Sequence, residues 1–230
     1  EQVDDALGAP LSATIWEGEA EALTLTENAQ PALMAMSMAT LAALEAEGVG
    51  VEAAAFVAGH SLGEYSALCA AGAFGVGEAA RLLRLRGQAM QAAVPVGEGA
   101  MAAILGLDLA AVQTIADEAA DGEVCAAAND NDPAQVVVSG HRGAVGRAVE
   151  IATSRGAKRA VMLPVSAPFH CALMQPAAEA MAAALAEVEI APPRVPLVAN
   201  VRAEAVTDPE EIRGLLVQQV TAPVRWRESV

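Results

Sequence analysis

Apolar and polar positions along the chain repeat with two different periods, and the period changes mark the elements. Residues 31–47, P-A-L-M-A-M-S-M-A-T-L-A-A-L-E-A-E, predict a mostly buried helix, with Pro31 in its first turn and Gly48 as its stop. Ala53 to Ala58 is a short apolar run ending at Gly59 and predicts a buried strand. A helix opens near Leu62 or Gly63, and another covers Glu78 to about Val94. After the linker P-V-G-E-G comes a strand from Met101 to Leu107, then a helix capped by Asp108 and running to Ala120. Val124–Ala128 and Gln135–Ser139 are strands on either side of N-D-N-D-P, which reads as a turn. A helix from Gly143 to Ser154 and a strand from Lys158 to Val165 complete the series. That order, β-α-β-β-α-β, is the ferredoxin-like pattern. Beyond it come a helix from Gln175 to Val188 and a strand from Val195 to Ala199. A helix opened by Asp208-Pro209-Glu210 follows. The expected class is α/β, with a small subdomain at 97–166 inserted into a body made of 1–96 and 167–230.

Composition narrows the function classes. Apolar residues make up 54% of the chain and charged residues 18%, which suits a well-filled core rather than disorder. The net charge of −16 argues against nucleic acid or an anionic membrane surface as partner. Lys158 is the only lysine, so a bound anion must be held by a few placed arginines. Cys69, Cys125 and Cys171 are odd in number and far apart, which suggests neither disulfides nor a metal site and fits a reduced, cytoplasmic protein. No apolar run reaches the length of a membrane span, and the opening E-Q-V-D-D is not a basic leader.

Two places carry candidate chemistry. G-H-S-L-G at 59–63 fits G-x-S-x-G between a strand and a helix, the setting of a nucleophile elbow. Ser61 is the candidate nucleophile, and the Leu62 amide at the helix start is a candidate oxyanion donor. A plain helix cap is the alternative. The serine needs a base. His60 adjoins it and should point away, and His141 falls in a turn of the inserted unit. His170, on the loop after that unit, remains by elimination, with a purely structural histidine as the alternative. In the helix R-L-L-R-L-R-G-Q-A-M-Q, Arg81, Arg84, Gln88 and Gln91 make one polar stripe. Arg86 lies about 200° from Arg84, on the apolar side with Leu82, Leu83, Ala89 and Met90. Gly87 beside it suggests close packing. On periodicity alone a buried ion pair or a snorkelling arginine accounts for Arg86 better than a substrate-facing role does.

These segments, with G-A-M-A-A-I-L-G-L, N-D-N-D-P-A-Q-V-V-V-S-G and G-A-K-R-A-V-M-L-P-V-S-A-P-F-H-C-A-L-M, resemble the bacterial malonyl-CoA:acyl-carrier-protein transacylases in order over the whole chain. The resemblance implies an α/β-hydrolase-like body with a parallel sheet and a ferredoxin-like insertion. It implies that Ser61 takes malonyl from malonyl-CoA as an ester and passes it to the phosphopantetheine thiol of acyl carrier protein. His170 would be the base, and Arg86 the clamp on malonate's free carboxylate, with Met90 beside it in the substrate site. Phe169 would leave little room for an α-methyl group. Asn129, Asn131, Gln135, Lys158 and Arg159 match positions on the CoA or carrier side. No cofactor or metal is implied, and a monomer is expected.

Members of that family begin with a strand and G-Q-G-S-Q, whose first Gln contacts the oxyanion. They end with a G-P-G segment, just ahead of which lies the residue that orients the histidine. The sequence starts after the first and stops before the second, so it is expected to be an excerpt that folds poorly and turns over little alone. The rivals are a serine esterase or thioesterase, and an inactive carrier-binding module.

Overall fold

The computed structural model describes all 230 residues. Its first helices are α1 (Gln2–Leu7), α2 (Leu11–Glu17), α3 (Ala20–Thr24) and α4 (Thr26–Ala46). Then come β1 (Val57–Ala58), α5 (Gly63–Ala70) and α6 (Val76–Ala93). The middle of the chain holds β2 (Gly99–Leu105), α7 (Leu109–Ala120), β3 (Cys125–Asp132), β4 (Gln135–His141), α8 (Arg142–Ser154) and β5 (Arg159–Met162). It closes with α9 (Gln175–Ala186), β6 (Leu197–Ala199), β7 (Glu204–Val206), α10 (Pro209–Gln219) and α11 (Trp226–Ser229). The protein is mixed α/β and divides into two compact units. One is Glu1–Ala89 with Ala180–Leu216, the other Met90–Glu179 with Val217–Val230.

The first unit carries a small sheet in the order β1-β6-β7. β1 and β6 are parallel, whereas β6 and β7 are antiparallel, so this sheet is mixed rather than purely parallel. The register pairs Val57 with Leu197 and Ala58 with Val198. The strand expected at 53–58 is thus confined to its last two residues. Val51–Ala53 forms a single 3₁₀ turn instead. Helix α4 starts five residues before Pro31, which lies inside it. Proline there removes one helical donor, and Asn28 in the extra turn is tied by its side chain. Asn28 accepts a hydrogen bond from Arg84 at 2.5 Å and donates to Ala22 O at 2.7 Å. The helix is also less buried than its composition predicts. Its buried residues lie between Thr26 and Met34, while Leu33, Met36 and Leu44 are exposed. Apolar residues run all round this helix, so its sequence does not specify which face turns inward.

The second unit is built on a four-stranded antiparallel sheet in the order β3-β4-β2-β5. Strand period explains its two faces. Ala100, Ala102 and Ile104 of β2 pack with Val136 and Val138 of β4 against α7 and α8. Met101, Ala103 and Val137 face the other way, with Ala128 and Phe169. Both faces are covered, which is why β2 and β4 read as continuous apolar runs. Asp108 caps α7 as expected, accepting from Ala111 N at 2.8 Å.

One expected turn is a strand. Asn129 to Asp132 continue β3 through two register shifts, and the chain turns only at Pro133-Ala134. The reason is a backbone neighbour distant in sequence. Val224 N donates to Ala128 O at 2.8 Å, and Asp130 N donates to Val224 O at 2.9 Å. Arg227 then closes on the buried Asp130 carboxylate at 2.8 Å. These contacts bring residues 217–230 into this unit, which is therefore larger than the 97–166 span marked by the sequence.

Candidate active site

The elbow is built by local sterics. At Gly59 a side chain would run into the backbone of Gly63 and come within 2.7 Å of Glu64 N, so only glycine fits. Ser61 has φ 55°, in the left-handed region that non-glycine residues rarely adopt. Something must hold it there, and Asn200 does. The parallel register that pairs residue 58 with 198 delivers residue 200 beside the elbow. Asn200 is fully buried. Its Oδ1 accepts from Ser61 N at 2.7 Å, and its Nδ2 donates to Gly59 O at 2.8 Å. Its own N–H donates to Glu64 Oε1 at 3.3 Å. Sequence reasoning missed Asn200; the available signal was a polar amide directly after a short apolar strand. Replacing Asn200 with Ala leaves a donor and an acceptor of the elbow unpaired. It should cost about 2–4 kcal/mol, measured by urea unfolding. A loss below about 0.5 kcal/mol would show that the elbow holds itself.

Arg86 is 1% exposed, the largest fully buried side chain, as its place on the apolar side of α6 predicts. Leu82, Leu83 and Met90 are buried with it, while Arg81 and Gln88 face solvent. Its NH1 donates to Gln30 Oε1 at 2.7 Å and its NH2 to Ser61 Oγ at 3.1 Å. The guanidinium carbon stands 5.8 Å from the centre of the Tyr65 ring, which stacks on Phe74. Burial pulls the Arg86 pKa down from its ordinary value. Gly87 packs as expected: a Cβ there would lie 2.6 Å from Thr26 O and 2.7 Å from Glu27 N of α4. Gln30, which sequence reasoning also missed, is thereby brought to Arg86.

In the second unit, His170 has φ 57° and is 3% exposed. Its Nδ1 lies 2.8 Å from the main-chain oxygen of Gln219. A carbonyl oxygen can only accept, so Nδ1 carries the proton and Nε2 of the neutral ring keeps its lone pair. This corrects the expectation that the group orienting the histidine lies beyond the end of the sequence. The neighbouring Cys171 turns to Pro168 O at 3.2 Å. Burial raises all three cysteine thiols, Cys69 and Cys125 to about 11, so none competes as a thiolate nucleophile.

The other predicted residues separate into groups. Phe169 is half-buried against Met101, Ala103 and Val137. Gln135 and Arg159 flank Leu105 on neighbouring strands, with Lys158 next to them, all exposed at one end of the sheet. Asn129 is buried further along β3 and Asn131 half-buried, so these five do not form one cluster. In the first unit, a cavity of about 770 Å³ is lined by residues of α1, α2 and α4, among them Trp16 and Met36. Neither Ser61 nor Arg86 is among the residues lining it.

Comparison with known proteins bears on this geometry directly. The family model described as acyl transferase domain matches residues 1–230. The malonyl CoA-acyl carrier protein transacylase of Escherichia coli K12 is 48% identical over 225 residues, covering 98% of this chain and 72% of that protein. The crystal structure of an acyl-carrier-protein S-malonyltransferase from Bartonella henselae superimposes with a TM-score of 0.96 at 60% identity. That alignment covers 99% of this chain and 73% of the other. A malonyl-transacylase solved in complex with its type II PKS acyl-carrier protein gives a TM-score of 0.94 at 44% identity, covering 98% of this chain and 72% of the other. A glycine-framed serine held at positive φ, a buried arginine at its hydroxyl and a family match over every residue converge: the chain belongs to the acyl transferase domain family.

Proposed function

We propose that the protein transfers a malonyl group from malonyl-CoA to the phosphopantetheine thiol of acyl carrier protein, through an ester on Ser61. The observation that carries this reading is the Arg86 guanidinium, buried and 3.1 Å from Ser61 Oγ. A simple esterase has no use for a desolvated cation at its nucleophile. A malonyl ester does, because its free carboxylate ends one methylene away from the ester carbonyl. On acylation, Oγ becomes an ester oxygen and the NH2 donor can pass to the carboxylate. Arg86 can offer that carboxylate its planar fork.

In the first half-reaction Nε2 of His170 takes the Ser61 proton as Oγ attacks the thioester carbonyl. The C–S bond breaks and the CoA sulfur leaves with that proton. In the second, the carrier thiol gives its proton to His170, its sulfur attacks the ester, and Ser61 Oγ is reprotonated. The Leu62 amide, at the start of α5, is read as the oxyanion donor in both. The ester forms and breaks on side chains, so no resident cofactor is needed. Phe169 is read as the residue excluding an α-methyl, and Lys158, Arg159, Gln135, Asn129 and Asn131 as the CoA and carrier side. The β-α-β-β-α-β unit with order β3-β4-β2-β5 supports the ferredoxin-like reading. The parallel β1–β6 pair leading into the elbow supports the α/β-hydrolase-like one.

The test follows the acyl group. Enzyme loaded with labelled malonyl should pass the label to added holo carrier protein faster than to water. Label lost mainly as free malonate would mark an esterase. Arg86→Ala should lower malonyl transfer by about a hundredfold or more and raise the relative preference for acetyl, since it removes one partner of a buried charged pair. Unchanged malonyl-over-acetyl selectivity would reject the clamp.

A further inference from the structure

We propose that Gln30 is the positioning residue that aims Arg86 at the acyl carboxylate and so helps to set acyl selectivity. The inference rests on Arg86 being the carboxylate clamp. Gln30 is 3% exposed and lies in the second turn of α4. Arginine has only donors, so the atom of Gln30 that meets Arg86 NH1 at 2.7 Å must be the carbonyl oxygen. That fixes which way the amide faces. Its Nε2 points back along the helix and donates to Thr26 Oγ1 at 2.8 Å. Thr26 is itself buried. A buried amide held at both ends cannot rotate without leaving a polar atom unmatched, which costs more than the bond itself.

The fork of Arg86 is consequently fixed from several sides. NH1 is held by Gln30, the guanidinium carbon stands over the Tyr65 ring, and NH2 reaches Ser61 Oγ. Gly87 lets the first turn of α4 approach α6 closely enough for Gln30 to reach. The choice of an amide is also chemical. An amide oxygen orients the guanidinium without cancelling its charge. A carboxylate in the same place would orient it equally well and compete with the substrate's own carboxylate for that charge.

Two near-isosteric substitutions separate these roles. Gln30→Met keeps the volume and removes the acceptor; Gln30→Glu keeps the acceptor and adds a charge. Initial rates with malonyl-CoA and acetyl-CoA give kcat/KM for each acyl group, alongside Arg86→Ala. Labelling of Ser61 by a neutral sulfonyl fluoride reports whether the elbow is intact. Gln30→Met should lower kcat/KM for malonyl about tenfold with acetyl little changed, as expected for a lost charge-assisted hydrogen bond. Gln30→Glu should lower it about a hundredfold or more, again sparing acetyl and Ser61 labelling. Equal losses for both acyl groups, or no loss for malonyl, would make Gln30 a packing residue and overturn the proposal. If Arg86→Ala also leaves selectivity unchanged, the fault lies in the clamp reading on which the proposal rests. If Arg86→Ala abolishes selectivity and Gln30→Glu does not, the fault lies with Gln30 alone.

Discussion

Ser61→Ala is expected to leave no covalent malonyl adduct after exposure to malonyl-CoA, read by intact-protein mass spectrometry. The structure makes this substitution chemically clean. The elbow is held through the backbone of Ser61, whose N–H meets Asn200. Alanine at φ 55° carries the same left-handed strain as serine, so nothing relaxes when the hydroxyl goes. Arg86 loses one of its acceptors and keeps Gln30. What disappears is the hydroxyl proposed to form the ester. Cys69, Cys125 and Cys171 are buried with raised thiol pKa values and cannot stand in for it. An adduct surviving in Ser61→Ala would falsify the assignment of the nucleophile.

His170→Ala should slow acylation of Ser61 by about a thousandfold, measured as the pre-steady-state release of CoA. The tautomer of His170 underlies this effect. With Nδ1 committed to the Gln219 carbonyl, the ring offers its second nitrogen as acceptor and has no freedom to exchange the two roles. Without the imidazole the serine must lose its proton to water, and the following thiol must do the same, so both half-reactions slow. A loss of tenfold or less would point to another base. The remaining rate should stay well above that of the uncatalysed reaction, because the Leu62 amide proposed as oxyanion donor and Arg86 are still present.

What could be read from the sequence was what depends on neighbours along the chain. The Asp108 cap, the continuous apolar runs of β2 and β4 and the misplaced phase of Arg86 can each be read from spacing within a dozen residues. Residues brought in from afar were not legible. Asn200 reaches the elbow only through the register of β1 with β6. Gln30 reaches Arg86 only because α4 begins ahead of its proline and packs on Gly87. Asn129–Asp132 has turn composition, and the backbone at Val224 makes it a strand. Gln219 is a different case. It acts through a main-chain oxygen, which every residue type possesses, so no side chain at that position could announce the role.

Gly87 has a consequence beyond its fit. Glycine in a helix interior ordinarily costs about 1 kcal/mol against alanine. Here that cost maintains a spacing, because the missing side chain sets how near α4 can come to α6. Position 87 therefore works as a gauge between two helices. A methyl group added there would touch neither the nucleophile nor the substrate, yet it would move Gln30 away from Arg86. Acyl preference in such a protein can drift through a site that no inventory of reacting groups would include.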